Sequence, residues 1–260
     1  MVTDAWTRPG SHLRHVRPSA LFLALIVVCV ASGASAWNGG GEQRIAVFLF
    51  VMSAWLISLC LHEFMHAFVA LRAGDTTVIG KGYLTLDPIK YSDPLFTFIL
   101  PTIFVLMGGI PLSGGAVYID RGRIRTRAQH SWVSAAGPLT NIAIAAVCGV
   151  ILNTSLFNSA GAPFYAAFAF FTQLQVIAAV LNLLPVPGLD GYGIIEPWLS
   201  YDFRRAIAPY AQFGPLLLFA LLWTPEINHW FFDQIDHITD AMNIPPGWTA
   251  LGHALFRFWK

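Results

Sequence analysis

Long apolar runs, broken at intervals by short polar stretches, set the pattern of this chain. The first run is Ser19–Trp37, after a polar segment carrying Arg8, Arg14 and Arg17. Ala34-Ser35-Ala36 resembles a signal-peptide cleavage site, but the run is long enough to span and another apolar helix follows at once, so an uncleaved helix is expected. Run two, Ile45–Leu71, has no charge between Ala46 and Leu61. Residues 72–92 alternate polar and apolar positions, which predicts short strands. Run three, Pro94–Leu112, is apolar but interrupted by Pro101, Gly108, Gly109 and Pro111. Runs four (Trp132–Leu152), five (Phe164–Leu184) and six (Ala206–Trp223) follow, and Pro225–Lys260 mixes Trp and Phe with polar residues.

Composition agrees with a bilayer. Of the 260 residues 56% are hydrophobic and 11% charged, with mean hydropathy +0.60; a soluble domain carries about a quarter charged residues. The net charge of +1 gives no case for nucleic acid, and none is expected as a partner. The three cysteines stand singly in apolar runs, without disulfide or zinc-site spacing. The expected fold is an all-α polytopic membrane protein with about five to six transmembrane helices, a re-entrant segment and short cytoplasmic β-strands. It divides into a cytoplasmic segment 1–18, a membrane-embedded domain 19–224 and an interfacial tail 225–260.

Charge sets the orientation. Arg121, Arg123, Arg125 and Arg127 are the densest basic cluster, and Lys and Arg favour the cytoplasmic side. The N-terminus and residues 72–92 belong there too, so an even number of crossings must separate them from the cluster. A helix entering from Pro94 and the glycine-rich Met107–Val117 returning as extended chain would satisfy this, provided that it lines a cavity.

Three segments carry chemistry. His62-Glu63-Phe64-Met65-His66 places two imidazoles four residues apart on one helix face, where both can bind one metal ion. Glu63 lies beside them, placed to take a proton from metal-activated water. At 1.5 Å per residue His62 lies about 25 Å along the helix, towards its cytoplasmic end. The alternative is a pair of interfacial histidines, though ionisable groups in membrane helices are usually functional. A third ligand is needed, and Asp190 is the best carboxylate: run five ends at the same depth, Pro185, Pro187 and Gly188 break the helix, and Gly191 follows. Its alternative is a helix N-cap. Asn141, one turn after Gly137-Pro138, reads either as an interhelical hydrogen bond or as a donor to the substrate carbonyl or oxyanion. Asn182, Gln173 and Gln175 read as contacts between helices, and the other six histidines as solvated or interfacial.

The HEFMH helix, the Ala136-Gly137-Pro138-Leu139-Thr140-Asn141 helix and the Asn182–Gly191 segment, in that order, resemble the site-2 protease family of intramembrane zinc metalloproteases across residues 45–200. The resemblance implies His62, His66 and Asp190 as ligands to one Zn2+ per chain, Glu63 as catalytic base and Asn141 as an active-site residue touching substrate or intermediate. It implies an endopeptidase acting on single-pass membrane substrates in regulated intramembrane proteolysis, and a multi-pass cell-membrane protein of bacterial origin; the charge pattern puts its active site towards the cytoplasm. Many members carry a PDZ or CBS domain, for which this chain has no room. A zinc transporter or metal sensor is the alternative; a transport site has no particular need of a base beside its ligand.

Overall fold

A computed structural model describes residues 15–91 and 118–259. Every regular element among them is helical. The long ones are α1 (Ala20–Asn38), α2 (Gln43–Ala73), α4 (Arg127–Leu152) and α5 (Ala162–Leu183). Shorter ones are α3 (Thr77–Gly80), α6 (Asp190–Ile195), α7 (Tyr201–Ile207), α8 (Gly214–Leu222), α9 (Pro225–Ala241) and α10 (Pro246–Phe256). Five candidate spans are long and apolar enough to cross a membrane: α1, α2, α4, α5 and the stretch Tyr201–Leu222.

Local chemistry explains the boundaries. Ser19 caps α1 by accepting from the Phe22 N–H. Gly39, in left-handed conformation, closes it and starts the tight turn into α2. Thr126 and Gln129 form a reciprocal capping box on α4. Tyr201–Leu222 is not one smooth helix: a 3-10 stretch, Ala208–Phe213, joins α7 to α8, where Pro209 lacks a backbone donor.

Packing is that of a membrane bundle. Ala36, Ala67, Ala70, Ala166, Ala167 and Ala169 are fully buried, and such small residues let helix backbones approach closely. Val27, Val30, Val147 and Val150 are each more than half exposed on α1 and α4, an apolar exterior suited to lipid. Phe50, Phe170 and Leu174 form the centre of the core, joined by Phe231 and Ile235 of α9 and Phe256 of α10.

Residues 72–92 form no strands but α3 and two 3-10 turns, Tyr83–Thr85 and Pro88–Tyr91. Gly82 and Leu86 both take positive φ, and Pro88 cannot donate, so the run cannot stay extended. Its buried positions, Val78 and Leu84, pack against the end of α2 instead of lining a sheet. The proposed re-entrant element, Pro94–Leu112 with Met107–Val117, lies outside the described residues, as does most of segment 1–18. The flanks of that stretch meet: Asp75, fully buried, accepts from Thr77 and from the Asp120 N–H at 2.8 Å, and Lys81 Nζ donates to the Tyr118 carbonyl at 2.8 Å.

At Gly252 the backbone of α10 lies directly on α5, since a Cβ there would overlap the Ala166 carbonyl. Gly252→Val should therefore destabilise the fold by about 1–3 kcal/mol, the usual cost of overpacking. Thermal unfolding in detergent checks this, with Gly247→Val, where a Cβ meets nothing, as the control.

Candidate metal centre

The site begins on α2. His62 and His66 are one helical turn apart, 5% and 6% exposed, and their rings meet nearly edge to face. Asp190 reaches them from the start of α6. Leu189 rather than Asp190 is the N-cap residue of that helix, so the carboxylate is not spent on capping. Gly188, at φ +93°, makes the turn that aims it. Gly191 lets α6 begin against α5, because a Cβ there would overlap the Leu183 and Leu184 carbonyls.

The donor atoms are closely spaced. His62 Nε2 lies 3.1 Å from His66 Nε2 and 3.2 Å from Asp190 Oδ2, and His66 Nε2 lies 3.3 Å from Asp190 Oδ1. A tetrahedral zinc with ligands at roughly 2.0–2.1 Å has donor–donor edges of about 3.3 Å. This is the group of His, Cys, Asp and Glu side chains among the described residues that could hold a metal ion. Burial alone would raise the Asp190 carboxyl; the two imidazoles outweigh it and hold the group well below the usual carboxylate range, ionised as a ligand must be.

The other ring nitrogens fix which atoms face the ion. His66 Nδ1 donates to the Val133 carbonyl of α4 at 2.7 Å. His62 Nδ1 donates to Asn141 Oδ1 at 2.6 Å. Asn141 Nδ2 donates to Gln175 Oε1 at 2.8 Å, Gln175 Nε2 to Ser58 Oγ at 3.0 Å, and Ser58 Oγ to the Trp55 carbonyl at 2.7 Å. A carbonyl only accepts, so the last bond sets the direction of all the others. The chain therefore ends with a proton on His62 Nδ1 and a free lone pair on Nε2. With both Nδ1 atoms committed to protein acceptors, the two Nε2 atoms, 3.1 Å apart, are left facing each other and the Asp190 carboxylate, an arrangement that a bound cation would satisfy.

Gly137 completes the fit. The Cβ of any other residue would fall between His62 Nε2 and His66 Nε2, in the space an ion would fill. Glu63 is 3% exposed, adjoins His62 on α2, and is not one of the three convergent donors. Gln175, which the sequence reads as a contact between helices, is fully buried and belongs to the site; the signal available was a bare amide in an apolar helix. Ser58 and the Val133 carbonyl carry no such signal. Among the remaining described histidines, His130 lines an arginine-rich cavity, His253 stacks on Phe170, and none joins a metal-ligating group.

Two imidazoles and one carboxylate, with a second carboxylate beside them and apolar helices around them, form a donor set that could hold one metal ion. The chain belongs to the site-2 protease family of zinc metalloproteases. It is 44% identical over 249 residues, 94% of this chain and 95% of the relative, to Rip2 of Mycolicibacterium smegmatis, which is named as a zinc metalloprotease. Rip2 of Mycobacterium tuberculosis matches to the same extent, and YwhC of Bacillus subtilis, also so named, is 32% identical over 68% of this chain and 81% of its own. No protein-family model matches, and no solved structure matches. With these relatives the five apolar helices identify a multi-pass membrane protein.

If the Ser58–Gln175–Asn141 chain orients His62, Gln175→Leu should weaken zinc retention about 10–100-fold, the usual effect of losing such a supporting partner. Ser58→Ala should act in the same direction and Ser58→Thr should restore it. Zinc transfer to a colorimetric chelator reads the effect without reference to activity. Equal transfer rates for wild type and Gln175→Leu would remove the chain from the site.

Proposed function

We propose that this protein is an intramembrane zinc endopeptidase, holding one zinc per chain on His62, His66 and Asp190 and cutting peptide bonds in or near the membrane segments of single-pass proteins. The observation that carries this reading is the placement of Glu63 and both histidines on α2, a 31-residue helix of membrane-spanning character. When bound, zinc supplies a Lewis acid for the scissile carbonyl and acidifies water. Glu63 takes the proton of the attacking water and passes it to the leaving amine. Asn141 uses one amide hydrogen on Gln175, and its second serves the oxyanion. The substrate helix unwinds locally, because neighbouring turns shield a helical peptide bond.

The proposed setting is regulated proteolysis at the cell membrane, with the N-terminus and the active site towards the cytoplasm. The basic residues at Arg121–Arg127 support this orientation. Single cysteines at Gly80 and Arg123, in a variant lacking Cys29, Cys60 and Cys148, should resist an impermeant thiol reagent in intact cells. One at Ser159 should be labelled. The reverse pattern would turn the protein over in the membrane.

The reaction is tested in liposomes with a model single-pass substrate. Glu63→Gln should retain zinc and make no product, since an amide cannot accept the proton. Asn141→Asp keeps an acceptor for His62 but loses the amide donor, so turnover should fall about 10²–10³-fold while zinc retention falls no further than in Gln175→Leu, which breaks the same Asn141–Gln175 bond. Asn141→Ala should lose both. Products should map to the cytoplasmic half of the substrate's membrane segment. Wild-type cleavage rates in Glu63→Gln would defeat the mechanism, and zinc flux without peptide products would favour a transporter.

A further inference from the structure

Away from the metal centre, a cavity of about 180 Å³ opens between the start of α4 and α7, lined by Arg121, Arg127, His130, Glu196, Pro197 and Arg204. Its charge is unbalanced. Arg121 is ion-paired with Glu196, which leaves two guanidinium groups without a carboxylate partner among the described residues. The Nε of Arg204 is buried with no hydrogen-bond partner, and buried donors are rarely left in that state without a ligand or water.

The position of the cavity says what could fill it. Arg127 is the first residue of one candidate span, and Arg204 lies in the first turn of another. On the segments that supply the lining, Trp132 of α4, Trp198 next to Pro197, and Tyr201 and Tyr210 on either side of Arg204 are all more than 60% exposed; exposed Trp and Tyr mark the headgroup level of a bilayer. Trp198 Nε1 donates to Ser131 Oγ at 2.9 Å, and that hydroxyl donates to the Ile194 carbonyl at 2.6 Å. The wall between α4 and the segment after α6 is therefore held in place and not merely apposed.

We propose that this cavity binds the phosphodiester headgroup of an anionic phospholipid, with Arg127 and Arg204 as its ligands. Guanidinium forks match phosphate oxygens, and basic pockets between membrane helices are suited to anionic headgroups. The inference rests on the protein spanning a membrane, not on its being a protease.

Native mass spectrometry of the full-length protein in neutral detergent, offered phosphatidylglycerol and phosphatidylcholine, tests the assignment. Wild type should retain one phosphatidylglycerol in preference to phosphatidylcholine. Arg127→Gln and Arg204→Gln should each lower retention on the order of tenfold, the effect of losing a charge-assisted hydrogen bond, and Arg204→Lys should keep part of it. Arg205→Gln, an exposed neighbour outside the cavity, should change nothing. Each variant is first shown to bind zinc as wild type does, and if Arg204→Gln does not, Arg127→Gln decides alone. An equal loss in Arg205→Gln would reduce the site to general surface charge and overturn the proposal. So would inorganic phosphate that displaces the lipid and stabilises the protein equally by itself. Arginine-dependent binding of an acidic peptide, with no preference between the two lipids, would assign the cavity to a protein partner instead.

Discussion

Three polar donors held within about 3.3 Å of one another, among helices with few charges, are the constraint to which the rest of the fold answers. In such surroundings every polar group needs a partner, because desolvation without one is costly. The two imidazoles satisfy this through their Nδ1 atoms. One uses a main-chain carbonyl directly; the other uses Asn141, Gln175 and Ser58 in series. The metal centre is thus continuous with hydrogen bonding that crosses from α2 to α4, to α5 and back to α2. The same bonds that satisfy buried amides in the bundle also present Nε2 of His62 outward.

Close approach is the second requirement. The backbone of α4 comes against the donor atoms at Gly137, and α6 meets the end of α5 at Gly191. Alanines do the same between α2, α5 and their neighbours. The centre is therefore as much a matter of absent side chains as of present ones: a methyl group at position 137 would compete with an ion for the same volume.

The sequence was most informative where periodicity and chemistry coincide. Apolar length located α1, α2 and α5 to within two residues at each end but missed the polar first turn of α4, which starts at Arg127 and not at Trp132, and histidine spacing with one helix-breaking carboxylate segment brought out the three donors. Alternation misled at 72–92, because it records which side chains face the protein, whatever backbone carries them there. Asp75 escaped notice for a related reason. Its role depends on the Asp120 N–H, a main-chain group that any residue would carry. The orienting part played by Gln175 required knowing that α5 faces both α2 and α4. Asn141 looked like either a helix contact or a catalytic donor, and its geometry makes the first of these part of the metal centre.

The distribution of the donors along the chain also bears on biosynthesis. His62 and His66 are complete as a pair once α2 has formed, but Asp190 follows α4 and α5 and lies beyond the turn at Gly188. Early in synthesis α2 offers only two imidazole nitrogens, an open half-site. The carboxylate that would close it arrives only after α4 and α5 have been made. A nascent chain with α2 alone inserted therefore holds only two of the three donors that the finished bundle brings together.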